Sequence, residues 1–102
     1  AQREDLLKEL APQYGSEWAT VRHGVDNAIR EIAQQGFCLS LGEWQKEIHG
    51  VGVPLVDPIR ETVYALNLGG PAYILSEKFM REQCGPWLLD VRNQINRMLV
   101  AA

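Results

Sequence analysis

The sequence predicts an α+β domain, an antiparallel sheet with helices packed on one of its faces. Three observations carry this. Between His49 and Pro71, two strand-like runs, HGVGVPLV and ETVYALNLGGP, are separated by DPIR, the punctuation of a hairpin. Longer stretches on either side repeat apolar residues at three- and four-residue steps, the period of a helix. Alternation along the hairpin then yields two unlike faces, because neighbouring residues of a strand point opposite ways.

Taken in order, QREDLLKELA (residues 2–11) reads as a short helix, with Leu6, Leu7 and Leu10 on one stripe and acids near its start. Pro12 and Gly15 are expected to end it. Ser16 is the expected N-cap of a second helix, with Glu17 in its first turn. Trp18, Val21, Val25, Ala28, Ile29 and Ile32 form its apolar stripe, and Gly36 its C-terminal stop. Asp26 and Arg30 are spaced for an i, i+4 ion pair. Gly24 inside this helix costs about 1 kcal/mol relative to Ala, which suggests a close crossing against the sheet.

FCLSL (residues 37–41) is a short strand with Phe37, Leu39 and Leu41 on one side, and GEWQKE is a loop. In the hairpin, a turn over residues 57–60 places Gly50 opposite Asn67, Gly52 opposite Ala65 and Pro54 opposite Val63. One face then carries Val51, Val53 and Leu55 against Tyr64, Leu66 and Leu68, and is expected to lie under helices. The other carries Ile48 at its start, then Gly50, Gly52 and Pro54 against Val63, Ala65, Asn67 and Gly69. Glycine weakens a strand. Several on one face imply either close approach of another backbone or room for a ligand. Beyond Pro71, Ser76 is expected to cap a helical piece to about Gln83, broken or kinked at Gly85-Pro86. A final helix carries Trp87, Leu88, Val91, Ile95, Met98 and Leu99 on its stripe. From Pro86 to Val100 it would span about 22 Å, enough to lie across the bulky face.

A chain of 102 residues makes one domain. It buries roughly 65% of its unfolded surface, a modest single core. Apolar content of 46% and charged content of 23% are those of an ordinary globular protein. The net charge is −3 and the ten basic residues are scattered, so no nucleic-acid footprint exists in this chain. Cys38 and Cys84 form no CxxC, and there is no HxxxH, so neither metal-ligand spacing nor a cofactor motif is present. No apolar run approaches eighteen residues, and no membrane association is expected. A cytoplasmic protein with reduced thiols is the expectation, although one disulfide stays open. Cys38 with His49 would suit thiol chemistry, but nothing in the pattern stabilises a thiolate. Trp18, Tyr64 and Trp87 fall on core stripes. Trp44, in the loop, is the one aromatic placed either to cover a cavity or merely to coat the surface.

The run GFCLSLGEWQKEIHGVGVPLVDPIRETVYALNLGGPA resembles the effector-binding domain of IclR-type transcriptional regulators. The resemblance rests on the helix-ending Gly36-Phe37 and the acidic Glu43. It also rests on the Gly52-Val53-Pro54 element and on the strand-ending Ala65-Leu66-Asn67-Leu68-Gly69-Gly70-Pro71. It extends over essentially the whole chain and implies a GAF-like fold with an effector pocket on the face away from the helices. It implies ligand contacts at Ser40, Ile48, Gly50, Asn67 and Gly69, the last four of which lie on the bare face by alternation. Ser40 stands where relatives usually have an acid, Gly50 where they often have Cys or Ser, and Gly69 where Ser is usual. These departures imply a roomier, less polar pocket and a small organic acid larger than two or three carbons, aromatic or aliphatic. The resemblance implies a non-enzymatic sensor that self-associates as a dimer or tetramer. DNA would be reached only through a winged helix-turn-helix outside this chain. The chain itself, residues 1–102, is expected to be the C-terminal part of an incomplete effector domain. The competing reading is an assembly module whose glycine face is buried against a partner.

Overall fold

The computed structural model describes Gln2–Ala101. Helix α1 (Gln2–Tyr14) leads through a 3-10 turn (Gly15–Glu17) into α2 (Trp18–Gln35). Strands β1 (Cys38–Leu41), β2 (Ile48–Asp57) and β3 (Thr62–Pro71) follow. They form one antiparallel sheet in the order β1-β2-β3. A short helix α3 (Glu77–Phe79), a π-helical turn (Met80–Cys84) and α4 (Gly85–Ala101) complete the chain. The fold is α+β, as the sequence predicts.

The bulky sheet face is covered as expected. Phe37, Leu39, Val51, Val53, Leu75, Met80, Cys84 and Leu88 form one buried cluster, flanked by Leu66, Leu68 and Leu89. Burial alternates along β2, with Val51, Val53 and Leu55 each no more than 5% exposed. The π-helical turn and α4 supply the cover. Arg92 of α4 also donates from Nη1 to the Pro54 carbonyl at 2.9 Å. That carbonyl points to the side on which β1 has already ended, since β1 pairs only as far as Gly52. Pro54 therefore lacks its N–H where no strand would have used it.

The hairpin register differs from the expected one by two residues. Gly50 lies opposite Gly69, Gly52 opposite Asn67, and Pro54 opposite Ala65. Asp57 is the cause. Its buried carboxylate accepts from the main-chain N–H groups of Ile59 and Arg60, at 3.1 and 3.2 Å, and from Arg60 Nη1 at 2.9 Å. It thus ends the strand, and residues 58–61 make the turn. Glu61 closes it at φ 52°, in the left-handed region. A shift of two preserves parity, so every side chain keeps its face.

Five local expectations are corrected. The first helix does not stop at Pro12: it runs to Tyr14 and continues through the 3-10 turn, with Gly15 at φ +55°. Ser16 therefore caps nothing. The Trp18 N–H is taken by the Gly15 carbonyl, and Glu17 stands at the N-cap position without a side-chain cap. Arg22, not Arg30, pairs with Asp26 (3.2 Å). It also reaches Glu4 (2.9 Å), joining α1 to α2, while Arg30 turns to Asn27. The chain does not break at Gly85-Pro86. The Gly85 N–H bonds the Met80 carbonyl five residues back, and this wide turn gives the proline ring room inside continuous helix. Finally, Tyr64 and Trp87 lie at the periphery, 49% and 57% exposed, and Trp18 stacks on Tyr14 rather than entering the core.

Gly36 and Ser76 do as the sequence indicates. Gly36 adopts φ 90° and its N–H returns to the Ile32 carbonyl, ending α2. The Ser76 side chain accepts from the Phe79 N–H at 3.2 Å.

Candidate functional site

The bare face of the sheet forms the floor of a hollow of about 440 Å³. Antiparallel pairing lays this floor in rows. Cys38, Gly52 and Asn67 stand side by side across the three strands, and Ser40, Gly50 and Gly69 form the next row. Ile48 lies beyond. Ala28 of α2 forms one wall, and Glu43 and Trp44 from the β1–β2 loop form the rim. The five residues singled out from the resemblance, Ser40, Ile48, Gly50, Asn67 and Gly69, all line this single hollow.

Small residues create it. A side chain on Gly52 would place its Cβ 2.7 Å from Asn67 Oδ1 and 3.7 Å from Cys38 Sγ. The Asn67 amide therefore lies across the sheet over Gly52, in space that only glycine leaves open. At Gly50 a Cβ would press on the Leu68 carbonyl oxygen at 3.3 Å, whereas at Gly69 it would meet only an ordinary contact at 3.7 Å.

Residues beyond the expected five also line the hollow. Gly52 was legible by alternation alone, since it shares the face of Gly50. Cys38 was placed opposite the Phe37/Leu39 stripe, which is where it lies. Glu43 and Trp44 belong to an irregular loop, and no periodicity could place them. The loop is held by the Gly42 N–H to the Ile48 carbonyl (3.1 Å) and the Ile48 N–H to the Gln45 carbonyl (3.0 Å), with Gly42 at φ +73°. Gly24 explains its own presence here. A Cβ there would stand 3.4 Å from the Glu43 carboxylate, so α2 crosses against this loop rather than against the sheet.

The hollow is mostly apolar with few charges. Among its lining residues there is no Lys or Arg, and Glu43 is the one carboxylate. His49 Nδ1 lies 2.7 Å from the Leu75 carbonyl oxygen. Because a carbonyl can only accept, Nδ1 carries the proton and ties the floor to the connector before α3. Burial pushes the Cys38 thiol up, and the negative charge of Glu31 pushes it further. A protonated thiol is thus favoured, the reverse of what a nucleophilic cysteine needs. Cys38 and Cys84 are both unpaired, since one lies on the cavity floor and the other in the core. Among the described residues no group of His, Cys, Asp and Glu could hold a metal ion, and no helix is long and apolar enough to cross a membrane.

Fold and hollow together define an α+β domain of GAF-like build, with helices over one sheet face and a cavity on the other. The chain is similar to IclR-type transcriptional regulators. A solved IclR family transcriptional regulator from Brucella abortus superposes with a TM-score of 0.87 at 31% identity, over 95% of this chain and 36% of that one. The HTH-type transcriptional regulator TsaQ1/TsaQ2 of Comamonas testosteroni is 27% identical over 98% of this chain. The inducer-binding domain of the PobR transcription factor from Acinetobacter was solved in complex with 3-hydroxy benzoic acid. It shares the fold at a TM-score of 0.56 and 23% identity, over 64% of this chain and 37% of its own. No family model matches the sequence. The chain spans 36% of the length of its curated relative TsaQ1/TsaQ2.

Proposed function

We propose that residues 1–102 are the C-terminal part of an effector-binding domain, and that the hollow over the glycine face receives a small organic effector. The observation that carries this is the convergence of Ser40, Ile48, Gly50, Asn67 and Gly69 on one cavity floor of small residues. Its volume is in the range of small-molecule sites, which run from about 300 to 1,000 Å³. The 3-hydroxy benzoic acid complex of the PobR domain, which shares the fold, supports an organic acid with a ring or chain larger than two or three carbons. Asn67 and Ser40 supply the side-chain hydrogen bonds. Ligand binding favours one arrangement of the assembled sensor and so biases a winged helix-turn-helix carried elsewhere in the protein. The role is regulatory, not enzymatic, and cytoplasmic. Self-association as a dimer or tetramer uses surfaces such as the outer edge of β3, which pairs with no strand among the described residues.

The test is calorimetric titration of this chain with a panel of aromatic and aliphatic acids, with glyoxylate as the small member. Binding of the larger acids, abolished in Asn67→Leu without loss of the folded far-ultraviolet signal, supports the reading. Asn67 is solvent-exposed, so the substitution should not unfold the chain. Binding confined to glyoxylate, or unaffected by Asn67→Leu, refutes it.

A further inference from the structure

The rim of the hollow carries a carboxylate with nothing to neutralise it. None of the ion pairs among the described residues involves Glu43. Two arginines lie across Glu43 in an adjoining depression, Arg30 and Arg81, but both are engaged. Arg81 is held by Glu31 at 3.0 Å and Glu77 at 2.9 Å, and Arg30 donates to Asn27. Neither lines the main hollow. The remaining polar groups there are the Ser40 hydroxyl, the Asn67 amide, the Cys38 thiol and the His49 ring, whose Nδ1 proton is already committed to Leu75. Beside the carboxylate stands Trp44, 76% exposed, an indole face with no ring partner among the described residues.

We propose that the effector carries a protonated amine, seated between the Glu43 carboxylate and the Trp44 indole, with its apolar body over Gly50 and Gly52. This rests on the effector-binding reading and narrows its organic acid to one that also carries an amine, an aromatic or aliphatic amino acid. A carboxylate paired with a cation gains a charge-assisted hydrogen bond. An indole face adds attraction to the same cation. An acid with no amine brings a second negative charge to a rim that holds no positive one, and gains neither. The negative field extends to the floor, since Glu31 and Glu43 both help to hold the Cys38 thiol protonated. A ligand bearing an acid as well turns that group away from the rim, toward Asn67 and Gly69.

Three probes on one skeleton separate the cases: 3-methylbenzylamine, 3-(aminomethyl)benzoate and 3-methylbenzoate, titrated calorimetrically into this chain and its Glu43→Gln variant. The expected result is that both amines bind the unmodified chain about 10- to 100-fold tighter than 3-methylbenzoate, the range of a hydrogen bond to a charged group. In Glu43→Gln that advantage is expected to vanish. Glu43 is exposed and Gln is its isostere, so folding is preserved. Equal or tighter binding of 3-methylbenzoate, or an amine advantage that survives Glu43→Gln, overturns the proposal and leaves the effector reading standing. If none of the three binds, the amine proposal falls, and the effector reading is decided by the acid panel and Asn67→Leu.

Discussion

At Gly52 and Asn67 the role of each residue depends on the other. The Asn67 amide occupies space that a Cβ at position 52 would invade at 2.7 Å. Gly52→Ala is expected to fold, because Asn67 is a flexible exposed side chain that can swing aside. Effector binding should nevertheless weaken, as the amide loses its position and the cavity its volume. Titration of the variant, alongside its melting curve, checks this. Asp57 is a different case, a buried carboxylate with a structural task. Its side-chain hydrogen bond from Arg60, aided by the Arg60 and Ile59 main-chain N–H groups, holds its carboxyl below the ordinary value. A carboxyl depressed by folding stabilises the native state above its unfolded pKa, about 3.9. That contribution is lost as pH falls through the lower folded value. Asp57→Asn should therefore melt below the unmodified chain at neutral pH, and the gap should narrow on acidification below about pH 4. A gap that is constant with pH would assign the role of Asp57 to shape rather than charge.

At the scale of elements, two junctions decide the architecture. The first is the seat of Phe37. A Cβ on Gly85 would lie 2.4 Å from the Phe37 ring, which is itself 4% exposed and has no room to retreat. Gly85→Ala must displace either the ring or the π-helical turn. Overpacking of this kind costs roughly 1–3 kcal/mol, occasionally more. A clear drop in the denaturant midpoint is expected, and an unchanged midpoint would show that the ring moves freely. The second junction is the hairpin turn. Glu61 at φ 52° bears the left-handed penalty of roughly 1–2 kcal/mol. Glu61→Gly should be neutral or stabilising, whereas the β-branched Glu61→Val should destabilise. Chemical denaturation of the pair reads the difference directly.

For the molecule as a whole, the two sheet faces divide the labour. The helices after the sheet build the core with β2. Helix α2 contributes no fully buried residue and is tied down by polar contacts at its ends, Arg22 to Glu4 on one side and Glu31 to Arg81 on the other. Large apolar side chains stay exposed on α1, the hairpin and α4, among them Leu6, Val63 and Met98. An unpaired edge strand beside exposed apolar residues favours association. This chain is expected to show concentration-dependent self-association in sedimentation velocity. A monomer at all concentrations would remove the assembly element from the functional reading.

Sequence alone determined the alternation of the hairpin, the termination of α2 at Gly36, and the membership of Gly50, Asn67 and Gly69 in one bare face. These follow from periods of 2.0 and 3.6 and from the conformational freedom of glycine, which act locally. Ile48 shares that face by the same alternation, Ser40 joined them through the resemblance, and all five line one hollow. Only the tertiary structure decided the rest. The register moved by two because a buried Asp57 drew the turn around itself, a contest between hydrogen bonds that composition cannot weigh. Pro86 stayed within helix because a wide π-turn, packed on the core, made room for it. The unpaired Glu43 and Trp44 reached the cavity rim from a loop with no period. Their placement depends on where α2 and the sheet come to rest, which is settled by packing between segments distant in the chain.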